Sequence, residues 1–148
     1  MVVIGFTLLT GVSVFLIGKL YKRKQLYRYI YDCRLFFGQN SVFISGFLDS
    51  GNRAQKNGLP VCFVSPDILY DLRGEENWKD GGQVCDEITI QTLGGEKTTP
   101  IFKGELELFD EKKRRKKKVY FAATTNMLSR EYKMILSPLV LEDGADEE

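Results

Sequence analysis

The sequence of 148 residues contains no histidine. This absence excludes Ser-His-Asp and Cys-His catalysis, and it also excludes zinc sites that use a histidine ligand. Cysteine is scarce, because Cys33, Cys62 and Cys85 are widely spaced and form no C-x-x-C pair. An odd number argues against a complete disulfide framework, so we expect reduced cysteines in the core of a cytosolic domain. We predict no metal site and no cofactor.

The first eighteen residues, MVVIGFTLLTGVSVFLIG, lack charge altogether, and a cluster of lysine and arginine follows at 19–24. At helical rise, eighteen residues are just long enough to span a hydrocarbon core. A signal peptide would instead carry its positive charge before the apolar region. The pattern predicts a transmembrane helix at 1–19 and a basic juxtamembrane linker at 20–28, with a buried core helix as the alternative.

The position of the basic cluster also predicts an orientation. Lysine and arginine are enriched on the cytoplasmic side of membrane helices, so the remainder of the chain is expected on the cytoplasmic side of the cell membrane. The chain is then a single-pass protein or the end of a multi-pass protein.

The composition of the whole chain, with 43% hydrophobic and 28% charged residues, is that of a folded protein. Such a composition argues against wholesale disorder. The length allows one ordinary domain, placed at 29–141, followed by an acidic tail at 142–148.

Short apolar and alternating segments separated by turn residues predict an all-β domain with one short helix. Ser65 and Pro66 are typical of a helix start, and that helix is expected to end near Gly74. The predicted strands are 29–37 and 41–48 as a hairpin, 59–64, 88–92, 98–102, 105–109, the region of 119–121, and 134–141.

The segment 110–118 lies between two of these strands and is predicted to be a hairpin tip, and it contains a run of seven basic residues at 112–118. Such a run can bind phosphates, which leaves membrane-tethered nucleic-acid binding open as an alternative. No aromatic platform accompanies the run in the sequence, and stacking aromatics usually complete a nucleic-acid site. We therefore expect a solvated loop near anionic lipid and no direct nucleic-acid binding.

The segment FLDSGN at 47–52 carries the candidate catalytic residue. Asp49 ends a core strand, as the catalytic carboxylate of an aspartic peptidase does. Ser50, Gly51 and Asn52 are predicted to support this loop, since Ser50 can hydrogen-bond within it and Gly51 lets a partner carboxyl approach closely. The same tripeptide is also common in ordinary turns, so that alternative remains open.

Four segments in order resemble the protease domain of the sporulation sigma-E factor-processing peptidases, which are membrane-anchored aspartic peptidases. The segments are FLDSGN at 47–52, LPVCFV at 59–64, TLGGE at 92–96 and YKMILSPLVL at 132–141. The resemblance implies a retropepsin-like closed β-barrel that forms half of a two-fold peptidase. Two features depart from the pattern: the family usually carries several membrane helices where this chain has one, and Ser137-Pro138 replaces the glycine that retropepsins carry there. The second feature is typical of the sporulation branch.

The resemblance also implies a mechanism. Two carboxylates about 3 Å apart share one proton, and the chain has one Asp-Ser-Gly motif, so a second Asp49 must come from another copy. The predicted function is a homodimeric aspartic endopeptidase that activates the sigma-E precursor during sporulation. Gly94 and Gly95 are candidates for a flap tip or for a plain hairpin turn. The alternative function is an inactive peptidase-like scaffold or binding module at the membrane, which the short membrane part favours.

Overall fold

The computed structural model describes residues 13–18, 20, 29–73, 86–92, 94–110, 113–126 and 128–142. The chain divides into two units, Met1–Ile30 and Tyr31–Glu148. In the first unit, residues 13–18 form a helix with exposed side chains. None of the helices in the described residues has the length and apolar character needed to cross a membrane. Residues 1–12 and 19 of the predicted membrane segment, and 21–28 of the linker, lie outside the described residues.

The second unit is built mainly from β-strands, as the alternating segments predict. The described elements are β1 Ile30–Phe37, β2 Asn40–Leu48, β3 Gln55–Lys56, β4 Leu59–Val64, α1 Pro66–Arg73, β5 Asp86–Thr92, β6 Gly95–Phe109, β7 Arg114–Ala123, β8 Met134–Leu136 and a 3-10 helix at Pro138–Val140. The hairpin of β1 and β2, strand β4 and helix α1 agree closely with the predicted positions.

Six of the strands close into a barrel. They pair in the order β1-β2-β8-β4-β7-β6, and β6 then pairs with β1, for example Leu35 with Leu106. Two pairings in the ring are parallel, β2 with β8 and β4 with β7. The short β3 pairs with β4, and β5 pairs with β6 outside the ring. The predicted closed β-barrel is confirmed, and closure leaves no free strand edge within the ring.

The barrel interior is filled by side chains that alternate along each strand, as period two requires. In β1, Cys33 and Leu35 are fully buried, while Asp32, the residue before Cys33, points outward and is exposed. Phe102 and Phe121 are register partners on β6 and β7, and their ring centroids lie 5.9 Å apart in the core. Helix α1 adds its apolar face to the same cluster through Ile68, Leu69 and Leu72.

Two cysteines belong to this core. Cys33 and Cys62 are buried and free. Burial raises the pKa of Cys33 to about 12 and that of Cys62 to about 11. Both thiols therefore remain protonated at neutral pH and are poor nucleophiles. The prediction of reduced core cysteines is confirmed for these two, and Cys85 lies outside the described residues.

Two strand boundaries differ from the sequence prediction. Strand β6 runs without interruption over 15 residues, because its first half pairs with β5 and its second half with β1 and β7. The apolar segment 134–141 is a strand only as far as Leu136. There the Ser137 hydroxyl accepts a hydrogen bond from the Leu139 N–H at 3.4 Å, and Pro138 opens a 3-10 helix instead.

The predicted hairpin tip at 110–118 is confirmed in position but is shorter than predicted. Strand β6 ends at Phe109, and Asp110 and Lys113 then exchange backbone hydrogen bonds of 3.1 and 3.2 Å. Strand β7 already begins at Arg114. Arg115 and Lys117 point toward the C-terminal segment, where Arg115 donates to the Leu141 carbonyl and Lys117 donates to the carbonyls of Leu139 and Glu142. These contacts give two of the seven basic residues a structural role.

Two further residues of the run, Arg114 and Lys116, are exposed and contact acidic and aromatic side chains from neighbouring strands. Arg114 forms an ion pair with Glu107, and Lys116 lies 2.7 Å from Glu105. The Arg114 guanidinium lies over the Phe109 ring, and Lys116 lies 5.0 Å from the centroid of Phe36. The two aromatic rings near the run are therefore in contact with its own cationic side chains. The two glutamates neutralise the charges of Arg114 and Lys116. The absence of nucleic-acid binding stays a prediction.

Candidate active site

Asp49 lies one residue beyond the end of β2, the strand that pairs in parallel with β8. The register places Leu48 beside Leu136, and the Asp49 N–H donates to the Leu136 carbonyl at 3.2 Å. The backbone of the candidate catalytic residue is therefore anchored to the end of a buried strand, as the sequence predicts.

The loop after β2 holds the Asp49 carboxylate in one orientation. Asp49 is half-buried, and its Oδ1 accepts a hydrogen bond from the Gly51 N–H at 2.9 Å. The Asp49 carbonyl accepts a second hydrogen bond from the Asn52 N–H at 3.0 Å. A Cβ at Gly51 would lie 3.2 Å from Asp49 Oδ1, which is tighter than ordinary contact. Gly51 thus permits the carboxylate to lie close to its own loop backbone.

Asn52 connects this loop to β4. It is 8% exposed, its Nδ2 donates to the Val61 carbonyl at 3.0 Å, and its Oδ1 accepts from the Ala54 N–H at 3.3 Å. Ser50 is exposed, and within the described part of the chain its hydroxyl makes no hydrogen bond. The loop support that the sequence assigns to Ser50 and Asn52 is provided by Asn52.

The Asp49 loop opens into a cleft of about 610 Å³. Residues 51–55 continue the loop side, and β5 forms the opposite side through residues 88–91. Four apolar side chains from three strands complete the wall, namely Phe63, Ile88, Ile90 and Ile135. A half-buried carboxylate next to an apolar wall is an arrangement that can bind a peptide side chain beside a reacting amide.

The hairpin of β5 and β6 carries the two glycines singled out in the sequence. It pairs from Asp86 with Ile101 to Thr92 with Gly95. Gly95 has a φ of +108°, a conformation that glycine adopts without strain, and its carbonyl accepts a hydrogen bond from the Thr92 hydroxyl at 2.7 Å. Gly94 and Gly95 therefore lie at the exposed tip of a hairpin whose strand β5 lines the cleft.

The described residues contain no group of three or more acidic or cysteine side chains that could hold a metal ion.

No family model, curated protein or solved structure matches this chain. The resemblance to the sigma-E processing peptidases therefore stays a prediction from four sequence segments.

Several cleft residues were not singled out in the sequence. Ile88 and Ile90 were predicted only as parts of a strand, although their alternation with polar residues indicates that both face the same side. Arg53 directly follows the FLDSGN segment, and no sequence pattern indicates that it lines the cleft. Phe63 and Ile135 come from β4 and β8, which pair antiparallel at this position. The contact between Phe63 and Ile135 depends on the order of the strands in the sheet rather than on local sequence.

An ion pair next to β8 supports the strand that anchors Asp49. The Lys133 N–H donates to the Ser45 carbonyl at 2.8 Å, and the Lys133 carbonyl accepts from the Ser65 N–H at 2.9 Å. The Lys133 ammonium lies 3.1 Å from the carboxylate of Asp67 in the first turn of α1. The Ser65 hydroxyl, and after it Lys133, hold the pKa of Asp67 below its usual range.

Asp67→Asn is expected to lower the free energy of unfolding by about 0.5 kcal/mol at pH 7, the size of a partly exposed ion pair. Because the pKa of Asp67 is lowered by folding, its stabilisation is present above the unfolded pKa of about 4 and is lost as pH falls through the folded value. The difference between the two proteins should therefore vanish near pH 2. Urea unfolding followed by circular dichroism at pH 7, 4 and 2 measures it.

Asp71→Asn is the matched control, since Asp71 is exposed on the same helix and forms no ion pair among the described residues. An equal loss for Asp67→Asn at pH 7 and at pH 2 would contradict the electrostatic role.

Proposed function

We propose that the chain is a membrane-tethered aspartic endopeptidase that works as a homodimer, with one Asp49 from each copy, and that processes the sigma-E precursor during sporulation. One observation carries this proposal. The Asp49 carboxylate is fixed at the end of a barrel strand by the Gly51 N–H and opens into a cleft of about 610 Å³ with an apolar wall.

The chemistry requires two carboxyl groups with different roles. Two carboxylates about 3 Å apart do not both ionise, because the second charge is repelled by the first. The ionised group takes a proton from the attacking water, and the protonated group donates a hydrogen bond to the scissile carbonyl. The Gly51 N–H helps to orient Asp49 for this role by holding its Oδ1.

The second carboxyl group is assigned to another copy of the chain. The sequence holds one Asp-Ser-Gly motif, so a two-fold axis through the Asp49 loop is the arrangement that supplies an equivalent partner. The exposed positions of Ser50 and Gly51 support this assignment, because both can be reached by a second subunit. When the proposed N-terminal helices of two copies lie in the same membrane, the effective concentration of each copy for the other is raised.

The hairpin of β5 and β6 is assigned the role of a flap. Among the described strands, β5 pairs only with β6, so its other edge presents backbone N–H and C=O groups. An extended peptide can hydrogen-bond to such an edge while its side chains enter the cleft. The glycines at 94 and 95 would let the hairpin tip move as substrate enters and product leaves.

The test is to co-express the chain with the sigma-E precursor and to look for an N-terminally shortened product. Whether two copies share one active site is then measured by adding Asp49→Ala chains in about ninefold excess over wild-type chains in detergent. With random pairing, about one tenth of the wild-type chains keep a wild-type partner, so activity should fall to about one tenth.

Asp32→Ala chains at the same excess are the control. Because Asp32 lies outside the cleft, these chains keep a working Asp49, and the total activity should rise rather than fall. Activity that stays unchanged when Asp49→Ala chains are added would rule out a site shared between two copies.

A further inference from the structure

Arg53 lies four residues after Asp49 and lines the same cleft. Asp49 and Arg53 are the two charged residues in that lining. The Arg53 N–H donates to the Gly51 carbonyl at 3.0 Å, which fixes its backbone to the Asp49 loop. The Arg53 side chain is exposed and, within the described part of the chain, forms no ion pair. Arg53 therefore places a cation without an ion pair among the described residues in the same lining as the candidate catalytic carboxylate.

The two acidic residues at the start of β5 form no ion pair with Arg53. Asp86, at the start of β5, lies 3.1 Å from the Lys56 ammonium. Lys56 also donates to the Glu87 carbonyl at 3.0 Å, so this lysine joins β3 to β5. Glu87 alternates with Ile88 along β5 and is not among the residues that line the cleft.

We propose that Arg53 is a specificity-determining residue that binds an acidic side chain of the substrate, a few residues from the scissile bond. The inference rests on the peptidase function proposed above and names its substrate class, which is an extended peptide with an apolar residue for the wall and an acidic residue for Arg53. An extended peptide advances about 3.3 Å per residue, so neighbouring positions sample the cleft in short steps. A guanidinium group suits a carboxylate because it can donate two parallel hydrogen bonds.

The experiment uses the full chain in detergent and fluorogenic peptides with an apolar pair at the scissile bond. One glutamate is moved through the flanking positions, with glutamine and lysine at the same positions as counterparts. At one or two positions the glutamate peptide should be cleaved with a kcat/KM about fivefold above that of the glutamine peptide, since an ion pair at an exposed site has a modest effect. The lysine peptide should be cleaved more slowly than both.

The variants separate recognition from structure. Arg53→Glu should reverse the preference between the glutamate and lysine peptides, and Arg53→Lys should retain the preference for glutamate. Arg130→Glu is the matched control, because Arg130 is exposed on the loop between β7 and β8 and does not line the cleft. In 1 M salt the preference of the wild-type chain should shrink, since screening weakens exposed ion pairs.

Cleavage of glutamate, glutamine and lysine peptides at equal rates at every position would overturn the role of Arg53 and leave the peptidase function standing. If no peptide is cleaved, the peptidase function fails, and recognition is read from fluorescence anisotropy of the same peptides on Asp49→Asn chains. Tighter binding of glutamate peptides that Arg53→Glu reverses would support the acidic preference on its own. Equal binding would overturn it.

Discussion

Asp49→Asn is expected to reduce proteolysis by at least about a thousandfold, because it removes a group that transfers protons in the reaction. In a homodimer with one Asp-Ser-Gly motif per chain, a single substitution removes both carboxyl groups. Asparagine has the shape of aspartate, and its side-chain oxygen can still accept the hydrogen bond that the Gly51 N–H donates. The fold and the proposed dimer should therefore be preserved, and the loss should be confined to kcat. Processing of the precursor and sedimentation of the purified variant measure the two properties.

Asp32→Asn is the matched control for this substitution. Asp32 is exposed on β1, and its carboxylate accepts a hydrogen bond from the Ser45 hydroxyl at 3.4 Å. It lies outside the cleft that contains Asp49, so the change should leave cleavage intact. Undiminished processing by Asp49→Asn would exclude an aspartic peptidase mechanism.

Gly104→Ala is expected to destabilise the fold by about 3 kcal/mol, at the upper end of ordinary overpacking in a core. A Cβ at this position would lie 2.5 Å from the Phe36 carbonyl oxygen and 2.5 Å from the Phe121 ring. The first of these atoms is backbone in β1 and cannot move without disturbing the barrel. Gly104 lies where β6 passes between β1 and β7, so relief of the clash would separate strands that close the ring. Thermal and urea unfolding followed by circular dichroism measure the loss.

Gly94→Ala is the control for the loss of glycine itself. The nearest atom to a Cβ at Gly94 is the Thr92 hydroxyl at 3.8 Å, which is ordinary contact. The free energy of unfolding should therefore change by less than about 0.5 kcal/mol, as for other surface substitutions. If both alanine variants lost the same stability, the close approach of β1 and β6 at Gly104 would not be the cause.

Elements with strong local signals were predicted well. The hairpin of β1 and β2 is indicated by alternating apolar residues on both sides of a Gly-Gln-Asn turn, and Gly38 there has a φ of +59°. Helix α1 is indicated by Ser65 and Pro66 at its start. Each of these signals acts within a few residues, so it can be read without knowledge of the remaining chain.

Strand β7 shows where local reading fails. Its first five residues, 114–118, are lysines and arginines, which sequence reasoning assigns to a solvated loop. They form a strand because Glu105 and Glu107 on β6 pair with the outward-facing residues, while backbone carbonyls near Leu139 accept from the inward-facing Lys117. These partners lie up to 25 residues away, as from Lys117 to Glu142, and no local window contains them.

The sequence by itself determined the Asp49 loop, because a core strand followed by Asp-Ser-Gly-Asn contains both the carboxylate and the Gly51 N–H that holds it. It also determined the turn at Gly94 and Gly95, since the φ of +108° at residue 95 suits glycine. Tertiary structure alone decided that β5 lies opposite this loop and that Arg53 enters the resulting cleft. The physical reason is that barrel closure depends on the register between β1 and β6, whose partners are more than 65 residues apart, such as Phe36 and Glu105.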